Sequence, residues 1–295
     1  MPKASVNGTI LHYHVHGRGT PIVFIHPPLL NRAVFRYQEV QLADPFQVVT
    51  FDIRGHGFSP ASDAPVTYPL IAEDVKSLLD HLNIRKAYLC GYSTGAGVAL
   101  ETMLTYPDRI RGAILVGAVA EPDSWTVRAQ MAAASTLAKL GMKTSLALMV
   151  ARANADMRET FHNLYYEAVR GDNRNWHEYY DASLKYSALE RLGSIHAPTL
   201  LVYGAADRRA HVQGARLHEL LPDSTLARIP GVTHHVPTKG MDAFHDLVTK
   251  WIMQHELRAA SSGESHVDKN LIKKAMDYDL TIPEDVLVDH GFARS

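Results

Sequence analysis

The chain has 295 residues, of which 46% are hydrophobic and 21% charged, and its formal net charge is −1. This composition is typical of a globular protein that buries a large core, in one large domain or two small ones. Near-neutral charge without a basic cluster argues against a nucleic-acid partner, and the apolar runs are too short to span a membrane. A single cysteine, Cys90, and an N-terminus without a signal-peptide core favour a cytoplasmic location.

Strands and helices are predicted to alternate through residues 1–120, the first part of the core. Apolar runs predict strands at 10–16, 22–26, 48–51, 86–90 and 110–116, and helical periodicity predicts helices at 70–82 and 94–106. Strands separated by helices imply a mostly parallel sheet covered on both faces, which is an α/β fold.

Three histidines, His12, His14 and His16, alternate along the first predicted strand and therefore share one face. Such spacing is compatible with metal binding. We interpret the three side chains instead as the exposed face of an edge strand whose intervening apolar residues point inward. The sequence therefore predicts no metal site and no cofactor.

The most informative segment is Gly91-Tyr92-Ser93-Thr94-Gly95, which lies between a predicted buried strand and a predicted helix. A serine in Gly-x-Ser-x-Gly at such a position is exposed on a sharp turn beside a helix N-terminus. This is the geometry of an activated nucleophile. The two glycines are expected to leave room where the helix packs close to neighbouring strands.

The pattern changes over residues 121–192, where four helices are predicted at about 126–140, 143–151, 157–170 and 176–189, with Asp172 or Asn173 as a cap for the last. An all-helical insertion between two strands predicts a cap over the sheet. Alternation returns over 193–258, the second part of the core, with strands at 198–204 and 224–229 and helices at 210–221 and 241–255.

Residues 259–295 are predicted to form a polar C-terminal tail. One short amphipathic helix is predicted from Leu271, Ile272, Ala275 and Met276. Nearby apolar residues suggest docking on the body or on a neighbouring subunit, so an oligomer formed through the cap or the tail is possible. The alternative is a loosely held terminus.

Five motifs in order resemble those of the α/β-hydrolase family, in the branch of small esterase-like enzymes with a helical cap. They are Phe24-Ile25-His26, Asp52-Ile53-Arg54-Gly55-His56-Gly57-Phe58-Ser59, the segment around Ser93, Tyr203-Gly204-Ala205-Ala206-Asp207 and Pro230-Gly231-Val232-Thr233-His234-His235. The resemblance covers roughly residues 5 to 258.

The resemblance implies a triad of Ser93, Asp207 and His234, because the family order is serine, acid, histidine. The histidine accepts the serine proton, and the acid fixes the imidazole tautomer. Two alternatives stay open: an acid near Glu121 or Asp123, and His235 as the base.

One oxyanion donor should be the N–H of Thr94. The usual position of the second donor falls on Pro28, which has no N–H, and we therefore expect a shifted loop in which Leu29 donates. The substrate pocket is expected to include His26, Pro28, Trp125 and His235.

Together these features predict a serine hydrolase that cleaves a small or medium ester through an acyl-enzyme, with no cofactor, nucleic acid or membrane involved. Two other functions remain open: a carbon–carbon bond hydrolase or perhydrolase with the same triad, and a ligand-binding or signalling protein with little turnover.

Overall fold

A computed structural model describes residues 2–119, 121–122, 124–263, 268–276, 278–282 and 286–290, with the backbone alone for 208–211 and 290. The strands are β1 (Lys3–Val6), β2 (Thr9–His16), β3 (Thr20–Ile25), β4 (Phe46–Phe51), β5 (Ala87–Tyr92), β6 (Ile110–Val116), β7 (Thr199–Gly204), β8 (Ser224–Ile229) and β9 (Leu287–His290). The helices are α1 (Arg36–Gln41), α2 (Tyr68–His81), α3 (Thr94–Thr105), α4 (Trp125–Lys139), α5 (Lys143–Asn154), α6 (Arg158–Ala168), α7 (Asn173–Lys185), α8 (Arg208–Leu220), α9 (Val236–Lys239), α10 (Met241–Ser261) and α11 (Lys269–Met276).

The described strands form one sheet in the order β1-β2-β4-β3-β5-β6-β7-β8-β9. Strands β3 to β8 are parallel to their neighbours within this group, whereas β1, β2 and β9 pair antiparallel at the two ends. The predicted α/β class with a mostly parallel sheet is confirmed. The carboxyl ends of the parallel strands meet at one edge, where a fold of this kind carries its site.

Both faces of the sheet are buried, as strand β3 shows. Val23 and Ile25 join the core cluster that includes α2 and α3, whereas Ile22 and Phe24 join the opposite cluster with α10. This alternation follows from the two-residue period of a strand. Because both faces are covered, the central strands are predominantly apolar rather than alternating between apolar and polar residues.

The four helices predicted between β6 and β7 are present as α4 to α7, with ends displaced by up to four residues. The carboxylate of Asp172 accepts the N–H of Asn175 and so caps α7, as one of the two predicted caps. The cap helices pack mainly in two pairs, α4 with α7 and α5 with α6. The domain limits at 120/121 and 192/193 stay a prediction.

The interpretation of the three alternating histidines as an exposed edge face is wrong. Strand β1 flanks the first part of β2, and α1 packs over the histidine-bearing face. His12 is only 1% exposed, and its Nδ1 lies 3.1 Å from Asp52 Oδ2. His14 is partly buried, and the side chain of His16 is 43% exposed.

The C-terminal tail contributes to the folded core. Leu271 and Ala275 of α11 are each 2% exposed and pack in the cluster with α10, and Val286 is 5% exposed there. Strand β9 pairs with β8 and extends the sheet. Docking on the chain's own body was therefore the better of the alternatives for the described part of the tail.

Among the described residues, no helix combines the length and hydropathy needed to cross a membrane.

Candidate active site

Ser93 occupies a strained turn between β5 and α3, with φ 55° and ψ −122°. Both flanking glycines are required by close packing: a Cβ on Gly91 would lie 2.5 Å from Ala96 Cα, and one on Gly95 would lie 2.3 Å from the carbonyl oxygen of Ile25. The expectation of steric room at these two positions is confirmed. A non-glycine residue at positive φ is costly and is typical of sites where function requires it.

The side chains of Ser93, His234 and Asp207 form a chain of polar contacts at the carboxyl edge of the sheet. His234 Nε2 lies 3.0 Å from Ser93 Oγ, and His234 Nδ1 lies 3.4 Å from Asp207 Oδ2. Asp207 is 8% exposed and follows β7, whereas His234 follows β8. With Nδ1 protonated toward the carboxylate, Nε2 is free to accept the serine proton.

The imidazole of His234 lies against two residues that the sequence did not single out. Gly117, which follows β6 with φ +57°, leaves so little room that a Cβ would lie 2.8 Å from His234 Cε1. The Tyr92 ring lies 5.5 Å from the His234 ring, and its hydroxyl donates to Asn154 Oδ1 of α5 at 3.0 Å. In the sequence, a glycine directly after the β6 strand indicates a position of close packing. Only the folded structure shows that the group packed against it is the ring of His234.

The alternative base and acid are placed differently from His234 and Asp207. His235 is half-buried; burial, with the charges of His234 and Lys239, lowers the pKa of His235 to about 4. Glu121 accepts a hydrogen bond from the Ser187 hydroxyl at 2.7 Å. Asp123 lies outside the described residues.

The loop after β3 lies against the first turn of α3, as the contact between Gly95 and Ile25 shows. Within this loop Pro28 is buried and has no N–H, and Leu29 adopts φ +67°. Among the described residues, no acceptor is paired with the backbone N–H of Leu29 or of Thr94. One of these N–H groups belongs to the loop after β3 and the other to the first turn of α3, and unpaired backbone donors are the groups from which an oxyanion hole is built.

His26 and Trp125, both expected in the substrate pocket, lie in positions that differ from this expectation. His26 is 0% exposed: its Nδ1 donates to the carbonyl of Pro27 at 2.9 Å, and its Nε2 accepts from the N–H of Ile53 at 3.0 Å. Burial lowers the pKa of His26 to about 4, so it is a neutral residue that anchors the loop. Trp125 is 79% exposed at the start of α4 and is therefore not part of an enclosed wall.

Asp52, in the second motif, anchors the segment that follows β3 by hydrogen bonds to backbone N–H groups. Its carboxylate accepts the N–H groups of Arg32 (2.9 Å) and Phe58 (3.0 Å) and contacts His12. Burial opposes ionisation, but the hydrogen bonds from His12, Arg32 and Phe58 outweigh it and hold the pKa of Asp52 below its usual range. The motif was visible in the sequence, whereas its partners on β2 and on the loop were not.

The fold, with Ser93, His234 and Asp207 in contact at the carboxyl edge of the sheet, defines a hydrolase of the α/β type. The family described as having the alpha/beta hydrolase fold matches residues 20–238, and the chain belongs to this family. The resemblance found in the sequence motifs is thus confirmed.

Two curated relatives carry the names of hydrolytic enzymes. The chain is 26% identical over 222 residues to 3-oxoadipate enol-lactonase 2 of Acinetobacter baylyi, covering 73% of this chain and 83% of that protein. It is 25% identical over 256 residues to a putative carbamate hydrolase of Azorhizobium caulinodans, covering 84% and 97%.

Solved structures share the fold at low sequence identity. An esterase from Exiguobacterium antarcticum superposes with a TM-score of 0.76 at 20% identity, covering 85% of this chain and 98% of that one. An enol-lactonase from Burkholderia xenovorans superposes with a TM-score of 0.74 at 24% identity, covering 85% and 99%. Hydrolysis is the activity that these family names support.

Proposed function

We propose that this chain is a serine hydrolase that cleaves a small or medium ester or lactone through an acyl-enzyme intermediate. The observation that carries the proposal is the 3.0 Å contact between Ser93 Oγ and His234 Nε2, with Asp207 behind the imidazole. A serine hydroxyl is a weak nucleophile until such a base accepts its proton.

The proposed reaction follows from these contacts. Ser93 Oγ attacks the carbonyl carbon while its proton passes to His234 Nε2, and Asp207 stabilises the imidazolium. The N–H groups of Thr94 and Leu29 receive the developing oxyanion. His234 then protonates the leaving alcohol oxygen, the C–O bond breaks, and the acyl group stays on Ser93.

Water completes the cycle. His234 takes a proton from water as the oxygen attacks the acyl carbon, and returns a proton to Ser93 Oγ as the acid leaves. No step of this sequence requires a cofactor. With a lactone substrate, the alcohol and the acid remain in one molecule, so the product is a hydroxy acid.

The cap supports an apolar substrate group. The side chain of Leu29, 1% exposed, packs in a cluster with cap residues of α4, α5, α6 and α7: Ala134, Ala138, Leu146, Ala147, Ala168 and Trp176. The cap that packs on this loop is thus built from apolar side chains, and from this composition we infer a substrate with a hydrophobic acyl or alcohol part. The enol-lactonase names of relatives add lactones to the substrates to be tested.

Purified protein should be tested against p-nitrophenyl esters from acetate to decanoate, a set of aliphatic and aromatic lactones, and a set of diketones, with Ser93→Ala as the control. We expect turnover by the wild type, acylation of Ser93 detected by intact mass, and loss of both in the variant. Absence of turnover on every substrate, together with no labelling of Ser93 by a fluorophosphonate, would overturn the proposal and favour a ligand-binding role. Turnover of diketones alone would indicate carbon–carbon bond hydrolysis instead.

A further inference from the structure

A second cluster of chemically capable side chains lies where α1 packs over β2. His14 and His16 of β2 and Glu39 of α1 each offer one ligand atom, and these atoms lie within 4.8 Å of one another. None of the three belongs to the proposed triad or oxyanion hole. A ligand bound by this cluster would therefore take no part in the proposed reaction.

The strand geometry brings the two imidazoles together. His14 and His16 alternate along β2 and share the face on which Val48 and Thr50 of β4 lie opposite them. Glu39 approaches this face from above and is 4% exposed. The three donors therefore come from two elements that already pack against each other.

One carboxylate oxygen of Glu39 accepts hydrogen bonds, and the other faces His16. Glu39 Oε1 accepts from the Thr50 hydroxyl at 2.5 Å and from Arg32 Nη1 at 3.3 Å. Oε2 lies 3.9 Å from His16 Nε2. Outer hydrogen bonds of this kind are what orients a carboxylate ligand toward a metal.

His14 supplies the second, independent observation. Its Nε2 atom is sealed from solvent and has no hydrogen-bond partner among the described residues. A neutral imidazole carries a lone pair on one ring nitrogen, and this is the atom with which histidine binds a metal. A buried polar atom left without a partner is the expected mark of a site for an ion or a water molecule.

The surrounding charge tolerates a cation. Arg32 contacts Glu39, but its guanidinium faces two carboxylates, Glu39 and Glu167, each at 3.3 Å. Its hydrogen bond to Glu39 is made to Oε1 and not to Oε2. A divalent cation at Oε2 would therefore pair with the open oxygen of this buried carboxylate.

We propose that His14, His16 and Glu39 bind a divalent transition-metal cation of the zinc class. Two imidazoles and one carboxylate are a ligand set used for such ions, with a remaining position for water. Zinc–nitrogen bonds of about 2.0–2.1 Å require the donors to approach closer than they lie here. His16 can make this adjustment because its side chain is 43% exposed. The bound ion would fasten α1 to β2.

The test uses untagged full-length protein, stripped with a chelator and titrated with Zn²⁺ alone. Binding is followed by calorimetry and by the metal-induced shift in melting temperature, with Mg²⁺ as a probe that this nitrogen-rich set should not bind. His16→Ala removes a ligand at a partly exposed position, and Glu39→Gln keeps the shape of the side chain while removing its charge. His196→Ala, at an exposed histidine outside the cluster, is the matched control for surface binding.

We expect one high-affinity Zn²⁺ site in the wild type and in His196→Ala, with affinity weakened at least about tenfold in both cluster variants. The shift in melting temperature caused by Zn²⁺ should fall in parallel, measured within each variant against its own metal-free form. Unchanged Zn²⁺ affinity in His16→Ala and Glu39→Gln, or no Zn²⁺-induced shift in the wild type, would overturn the proposal. Esterase activity is not read in any arm, so the outcome is separable from the fate of the proposed function.

Discussion

Replacing Gly117 by alanine tests whether the imidazole of His234 depends on the empty space beside it. The new Cβ would lie 2.8 Å from His234 Cε1 and 2.9 Å from Nδ1, whereas ordinary contacts begin near 3.4 Å. The ring must therefore move by at least about 0.6 Å, away from an alignment in which Nε2 lies 3.0 Å from Ser93 Oγ. A misplacement of about 1 Å in a reacting group costs on the order of 10²-fold in rate.

Gly231 is the matched control for this substitution. It also has a positive φ, +70°, but a Cβ there would meet nothing within 4 Å. Both alanine variants should lose about 1–2 kcal/mol of unfolding free energy, because left-handed backbone disfavours side chains. Only Gly117→Ala should also lose about 10²-fold in kcat.

The assay measures kcat on the best p-nitrophenyl ester, the rate of Ser93 labelling by a fluorophosphonate, and urea unfolding for both variants. Equal kcat in the two variants, with Gly117→Ala still folded, would show that His234 does not need this space. The placement of the imidazole between Gly117 and Ser93 would then be refuted.

Three further outcomes are expected. His234→Gln should lower kcat by about 10⁶-fold, because it removes the base of the triad. His235→Gln should stay within about threefold, because the low pKa of His235 makes it a poor base at neutral pH; equal losses in ester hydrolysis would contradict this assignment. Burial raises the pKa of Glu167 to about 7 from 4.5, so the folded state binds more protons than the unfolded chain, and stability should fall as pH rises from about 4.5 to 7. Between these pH values the wild type should lose about 3 kcal/mol of unfolding free energy relative to Glu167→Gln. Urea titrations at each pH measure this difference, and parallel curves for the two proteins would contradict the prediction. Leu271 of α11 is 2% exposed, so Leu271→Ala should lower the unfolding free energy by about 2–5 kcal/mol. Met276 is 74% exposed, so Met276→Ala should lower it by less than about 0.5 kcal/mol. Equal denaturation midpoints for the two variants would show that α11 is not docked.

The elements nearest the nucleophile were the most predictable. Strand β6 lies at the predicted residues because its apolar run is long, and α3 begins at the predicted residue because the glycine-rich turn before it marks the end of β5. The order of the motifs likewise assigned Ser93, Asp207 and His234 to one triad, and the structure brings their polar atoms together.

Features set by distant contacts were not predictable. His12 has the local pattern of an exposed strand residue, but it is buried because Asp52, Phe58 and Ser59 reach it from another part of the chain. The pairing of β9 with β8 joins segments about 60 residues apart, and no short-range pattern signals it. The cap helices were recognisable from periodicity, whereas their packing, which leaves Trp125 exposed, was not.

Leu29 belongs to two parts of the molecule at once. Its backbone turns beside the nucleophile, while its side chain is enclosed by the cap helices. Exchanging the cap for that of another hydrolase should therefore alter the loop to which we assign the second oxyanion donor, even if no residue of that loop were changed. A chimera of this kind should be built with position 29 redesigned together with the inner surface of the new cap.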